Sequence, residues 1–84
     1  MKIRFFYADN CHFCETVKSI ITKWSIQIEL VDALSDETQE LCDRYNVDAL
    51  PHIQVIKDDG SLIADFGVVK DGNMVSALEN YLNS

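Results

Sequence analysis

Residues 2–8, Lys-Ile-Arg-Phe-Phe-Tyr-Ala, form an apolar and aromatic run whose length and near-continuous hydrophobicity suit a strand buried on both faces. Asp9-Asn10-Cys11 breaks the run with helix-start character. Phe13, Val17, Ile20, Ile21 and Trp24 then recur at helical spacing, which predicts a helix over about 11–24 with these side chains on its buried face. Ile26-Gln27-Ile28-Glu29-Leu30 alternates strictly, the mark of a half-buried strand. Ser35 or Asp36 can cap a second helix that turns Leu41, Cys42 and Tyr45 inward. Asn46 to Pro51 reads as a loop, Ile53–Ile56 as a strand, and Asp58-Asp59-Gly60 as a hairpin turn whose glycine supplies a positive φ. Leu62–Phe66 is the returning strand, and Met74, Val75, Leu78, Tyr81 and Leu82 mark a C-terminal helix.

The order is therefore βαβ, a further helix, then ββα. The first unit joins two parallel strands by a right-handed crossover, and the second is an antiparallel hairpin with a helix after it. An α/β fold with a four-stranded mixed sheet and helices on both faces buries all these stripes at once. At 84 residues the chain is expected to be a single domain, residues 1–84, with a small margin of stability.

Composition narrows the function. Net charge is −7, and the seven basic residues are scattered, whereas a nucleic-acid footprint needs them clustered. The acidic balance reads first as a solvated surface that suits solubility and a monomer, with a basic protein partner as the sharper alternative. The polar break at Asp9-Asn10 ends the first apolar run too early for a signal peptide, and no apolar run approaches the roughly 20 residues of a membrane span. The expected location is the cytoplasm. Three cysteines in such a compartment are no disulfide framework and point instead to redox or metal chemistry.

Cys11 and Cys14 form a C-x-x-C pair beside a βαβ pattern, which is a redox signature. Cys11 falls at the first helical turn, where unpartnered N–H groups and the helix dipole favour an anion and push a thiol toward thiolate. Cys14 follows one turn later, within reach of a small-ring disulfide. Cys11 is thus the candidate nucleophile and Cys14 the candidate resolving thiol. His12, when protonated, would lower the Cys11 pKa further; otherwise it is a plain exposed helix-start residue. Phe13 is either a core or groove aromatic or a tuning group beside the sulfurs. The competing reading is half of a zinc site, which needs four ligands and leaves Cys42 and His52 to complete it from a helix and a strand start.

The segment Tyr7-Ala8-Asp9-Asn10-Cys11-His12-Phe13-Cys14 resembles the strand-to-helix active site of thioredoxins and glutaredoxins. Arg44-Tyr45-Asn46-Val47-Asp48-Ala49-Leu50-Pro51 resembles the Lys-Tyr-x-Ile-x-x-x-Pro segment of thioredoxins, and Gly67 to Met74 is similar to their last strand end and start of the last helix. The resemblance implies a thioredoxin-like fold, dithiol–disulfide exchange with no prosthetic group, and a cis proline against the active-site disulfide. Local sequence alone leaves the isomer of Leu50-Pro51 open. Pro51 would shape a substrate groove in which Leu50 offers its backbone N–H and C=O to an extended segment.

The departures from the family are informative. Thioredoxins carry Trp-Cys-Gly-Pro-Cys and bury an Asp in the first strand where this chain has Phe5. Glutaredoxins carry Cys-Pro-Tyr-Cys, echoed by Phe13, and a Gly-Gly pair that Val68-Val69 does not match. The chain is of glutaredoxin size, like small viral or archaeal redoxins, with a thioredoxin-like second half.

The resemblance implies reduction of protein disulfides such as that of ribonucleotide reductase, with thioredoxin reductase or glutathione as donor. The alternatives are a glutathione-dependent glutaredoxin, an iron–sulfur carrier in which Cys11 and glutathione hold a cluster, and a redoxin-fold binding subunit with catalysis dispensable. His52 is either a neighbour of the sulfurs or a plain strand-start histidine. Cys42 is a small buried residue or a regulatory thiol, and Trp24 a core or helix-end aromatic.

Overall fold

The computed structural model describes residues 1–68 and 73–83. Residues 69–72 of the Gly67 to Met74 segment discussed above lie outside them. Strands β1 (Lys2–Tyr7), β2 (Gln27–Asp32), β3 (His52–Ile56) and β4 (Leu62–Gly67) form one sheet in the order β2-β1-β3-β4. The β1–β2 pair is parallel, while β1–β3 and β3–β4 are antiparallel. Helices α1 (His12–Ile21), α2 (Gln39–Arg44) and α3 (Met74–Asn83), with a 3-10 turn at Asp36–Thr38, complete the described elements. This is the expected mixed sheet.

Alternation along β1 and β3 sorts the core into two layers. Ile3 and Phe5 of β1 with Ile53 and Val55 of β3 pack against Cys14, Val17 and Ile21 of α1 and Met74 and Leu78 of α3. On the opposite face Phe6 and Val31 pack against Cys42 of α2. Helix α2 has only six residues and covers one end of that face. Beyond this patch β1 presents polar side chains to the face: Lys2 and Arg4 both pair with Glu29, and Arg4 donates to Gln54 Oε1 at 3.0 Å. β1 is therefore apolar on its second face only at Phe6, a difference from the strand read as buried throughout.

Two further expectations shift. Helix α1 ends at Ile21 rather than near Trp24, and its buried stripe is Cys14, Val17 and Ile21. Phe13 and Ile20, placed inward by the spacing, are 42% and 37% exposed. The i, i+3, i+7 stripe centres on a cysteine that the pattern reads as chemistry, although it is also a core residue. Leu30 is 44% exposed because β2 is an edge strand, while the strand residues buried under α1 and α3 all come from β1 and β3.

Candidate active site

The end of β1 and the start of α1 are joined by four residues in a tight turn, in which the Cys11 N–H donates to Ala8 O at 3.1 Å. Cys11 caps α1 in an extended conformation, with φ −98° and ψ 104°. Its Sγ accepts the Cys14 N–H at 3.1 Å, taking the place that a Ser or Asp oxygen fills at most helix starts. A sulfur so placed meets both an unpartnered N–H and the positive end of a ten-residue helix.

Cys11 and Cys14 are joined by a disulfide with a Cα–Cα distance of 5.2 Å, within the usual range for such a bridge. The two sulfurs differ in access. Cys14 is 2% exposed and part of the core, whereas Cys11 is only partly buried. His12 and Phe13 between them are exposed.

The second part of the site arrives from far along the chain. Helix α2 closes with the Asn46 N–H donating to Asp43 O and the Val47 N–H to Cys42 O, the paired bonds of a Schellman ending. This ending puts Asn46 in the left-handed region, at φ 54°, which Asn tolerates better than most side chains. The turn redirects the chain toward β3, across the end of the sheet, where Leu50 packs against both core layers. The Leu50–Pro51 bond is cis and Pro51 is buried. His52 pairs with Phe6, so Pro51 comes level with the end of β1, the end from which the Cys11 turn departs.

The other candidates fall elsewhere. His52 stands edge-on to Phe6 with ring centroids 5.7 Å apart, and its Nε2 is 3.6 Å from Asp65. That is the α2 face, across the sheet from Cys14, so His52 is no neighbour of the sulfurs. The face of a strand-start residue follows from register, which the strand's own residues leave undetermined. Cys42 also lies on the α2 face, and burial, with Asp43 adding to it, pushes its thiol above the ordinary range. The four-ligand alternative thus has its two halves on opposite faces. Trp24 packs at the edge of the α1 layer as a core aromatic. Lys18, unremarked in sequence, lies with its ammonium 5.6 Å from the Tyr7 ring centroid. Its position four residues after Cys14, behind an aromatic strand end, is the signal that could have found it.

A βαβ–ββα sheet with a partly buried and a fully buried cysteine at one helix start, and a cis proline at the same end of the sheet, defines a dithiol–disulfide redoxin. The thioredoxin family profile matches residues 3–83, and the chain belongs to that family. No protein of curated function matches the chain.

Among solved structures, it is similar to thioredoxin 1 of the thermophilic eubacterium Thermosipho africanus. The two share 21% identity over all of both chains, with a TM-score of 0.59. It is also similar to the reduced thioredoxin pre-protein of Schistosoma mansoni, at 24% identity over 96% of this chain and 74% of that one, with a TM-score of 0.69. Mitochondrial thioredoxin 3 of Saccharomyces cerevisiae in its oxidized form matches at 23% identity over 98% and 76%, with a TM-score of 0.71. At these identities the likeness is one of fold. Family and cysteine pair together make the chain a thiol–disulfide oxidoreductase.

Proposed function

We propose that the chain reduces protein disulfides with Cys11 as the attacking thiolate and Cys14 as the resolving thiol. The observation that carries this assignment is the asymmetry of the pair. Cys11 is accessible, and its sulfur takes the helix-start N–H, whereas Cys14 is buried behind it. Cys11 attacks a substrate sulfur, and the mixed disulfide is released when Cys14 attacks Cys11. Leu50 offers backbone groups to an extended substrate segment beside Pro51. The exposed Phe13 supplies apolar contact, and a protonated His12 adds positive charge next to Cys11.

Electrons come from a thioredoxin-reductase-type donor rather than from glutathione. Asp9, Glu15 and Asp48 are exposed on the segments that border the site, and charges this close to a bound anionic tripeptide act within the Debye length of about 8 Å. The reaction belongs in a reducing compartment such as the cytoplasm, with an enzyme that ends its cycle as a disulfide, such as ribonucleotide reductase, as target.

The test is trapping. Cys14→Ser should accumulate as a mixed disulfide with a disulfide-bonded protein substrate, and Cys11→Ser should neither reduce nor trap it. Trapping through Cys14 in the Cys11→Ser protein would reverse the assignment. Turnover supported by glutathione and its reductase, with none from thioredoxin reductase and NADPH, would overturn the choice of donor.

A further inference from the structure

A cleft of about 60 Å³ opens beside Cys14, lined by Tyr7, Ala8, Asp9, Cys14, Glu15 and Lys18. A water occupies roughly 30 Å³ in the liquid, so the cleft has room for water. Cys14 is otherwise sealed in the core at 2% exposure. A thiol that resolves a mixed disulfide must first lose its proton, and burial opposes the anion. On this face β1 presents Ile3, Phe5 and Tyr7, so no carboxylate of the strand lies beneath the sulfur.

Lys18 is four residues after Cys14 and therefore on the same side of α1. It is half-buried, and the face of the Tyr7 ring holds its ammonium at 5.6 Å from the centroid. Such a contact restrains an otherwise flexible side chain. Asp9, from the β1–α1 turn, and Glu15, from α1, border the same cleft with the opposite charge. Both are exposed, so water screens them more than it screens Lys18. Tyr7 is the remaining ionisable side chain of the lining other than Cys14 itself.

We propose that Lys18 is a positioning residue for the resolving step: seated on Tyr7, its ammonium favours the thiolate of Cys14. The proposal rests on the assignment of Cys14 as the resolving thiol. Cys14 gives its proton to water in the cleft, and its sulfur forms a bond to Cys11 Sγ. The Cys11–substrate bond breaks, and its electron pair leaves on the substrate sulfur, which takes up a proton.

The experiment isolates Cys14 as the sole thiol in a Cys11→Ser, Cys42→Ser protein and follows its alkylation by iodoacetamide against pH. Lys18→Met should cut the thiolate fraction at neutral pH about three- to tenfold, the equivalent of up to one unit of titration. Lys18→Arg should restore it, and Glu15→Gln should move the profile in the opposite direction. A purely structural lysine would not produce shifts of opposite sign at the two positions. With both original active-site thiols present, the mixed disulfide of Lys18→Met with a disulfide peptide should persist longer by the same factor, and the difference should close at high pH. Identical profiles for the Lys18→Met and parent proteins would overturn the role of Lys18 while leaving normal trapping by Cys14→Ser intact. Failure of Cys14→Ser to trap substrate would instead remove the assignment on which the proposal rests.

Discussion

The hydrogen bond from the Cys14 N–H to Cys11 Sγ, 3.1 Å long, makes a quantitative demand on the reduced protein. A backbone N–H bonds an ionised acceptor about twice as strongly as a neutral one, a gain of about 1 kcal/mol on forming the thiolate. The N-terminus of α1 adds about 0.5–1 kcal/mol for a charge at its first turn. Exposed Asp9 and Glu15 oppose this by a few tenths of a kcal/mol. The balance, about 1.4 kcal/mol, amounts to roughly tenfold more thiolate at neutral pH than a free cysteine carries. The Cys11 pKa is therefore expected below the free-thiol value.

The sign for stability follows from linkage. A thiol whose folded pKa is depressed stabilises the reduced protein above the unfolded pKa, and that contribution is lost as pH falls through the folded one. Iodoacetamide alkylation of Cys11 in reduced Cys14→Ser, Cys42→Ser protein, set beside a cysteine peptide across pH, reads the effect. The Cys14 backbone N–H survives the substitution. A profile that titrates at or above that of the peptide would refute the capping argument. His12→Ala should raise the Cys11 pKa, more at low salt than at high salt because His12 is exposed and its charge is screened, and an unchanged profile would remove His12 from the mechanism.

Two further outcomes concern stability. Leu78, fully buried between α3 and the sheet, should cost about 2–5 kcal/mol on replacement by Ala, a large share of a small domain's stability; an unchanged urea midpoint would mean that α3 does not seal this core. The Glu29 carboxyl is held below its ordinary range, chiefly by the hydrogen bond from Lys2 and then by that from Arg4, against an opposing effect of burial. Its side chain is 38% exposed, so after screening Glu29→Gln should cost no more than about 0.5–1 kcal/mol at neutral pH. Because the folded pKa is lowered, the deficit should shrink as pH falls through it; a deficit independent of pH in urea titrations would exclude the ion pairs as its source.

What could be read from the chain divides along the line between local and non-local determinants. The Cys11–Cys14 pair, the strand before it and the helix after it are contiguous, and their geometry follows from capping and helical period, which neighbouring residues specify. The hairpin at Gly60, with φ 91°, is equally local. The isomer of Leu50–Pro51 is not, because the intrinsic preference of an X–Pro bond is only about 0.5–1 kcal/mol. Nor is the face on which His52 lies, since a register slip of one residue would have turned it toward the sulfurs. Phe13 shows the same limit within a helix: its spacing from Val17 fits the apolar stripe, but the buried position one residue later belongs to Cys14.

That last exchange bears on how the site works. Burying Cys14 in the stripe orients α1 so that Cys11, three residues earlier, sits at the helix start with its sulfur accessible. The residue that anchors the helix in the core is thus the one proposed to close the redox cycle, and the two demands conflict. Good packing excludes water, while a thiol about to attack must shed a proton. A chain with a non-ionisable side chain at the matching strand position, Phe5, has to meet the second demand from the rim of the core rather than from beneath it. The cleft bordered by Lys18 and Glu15 is such a rim, reaching Cys14 from the solvent side without opening the layer formed by Ile3, Phe5 and Val17.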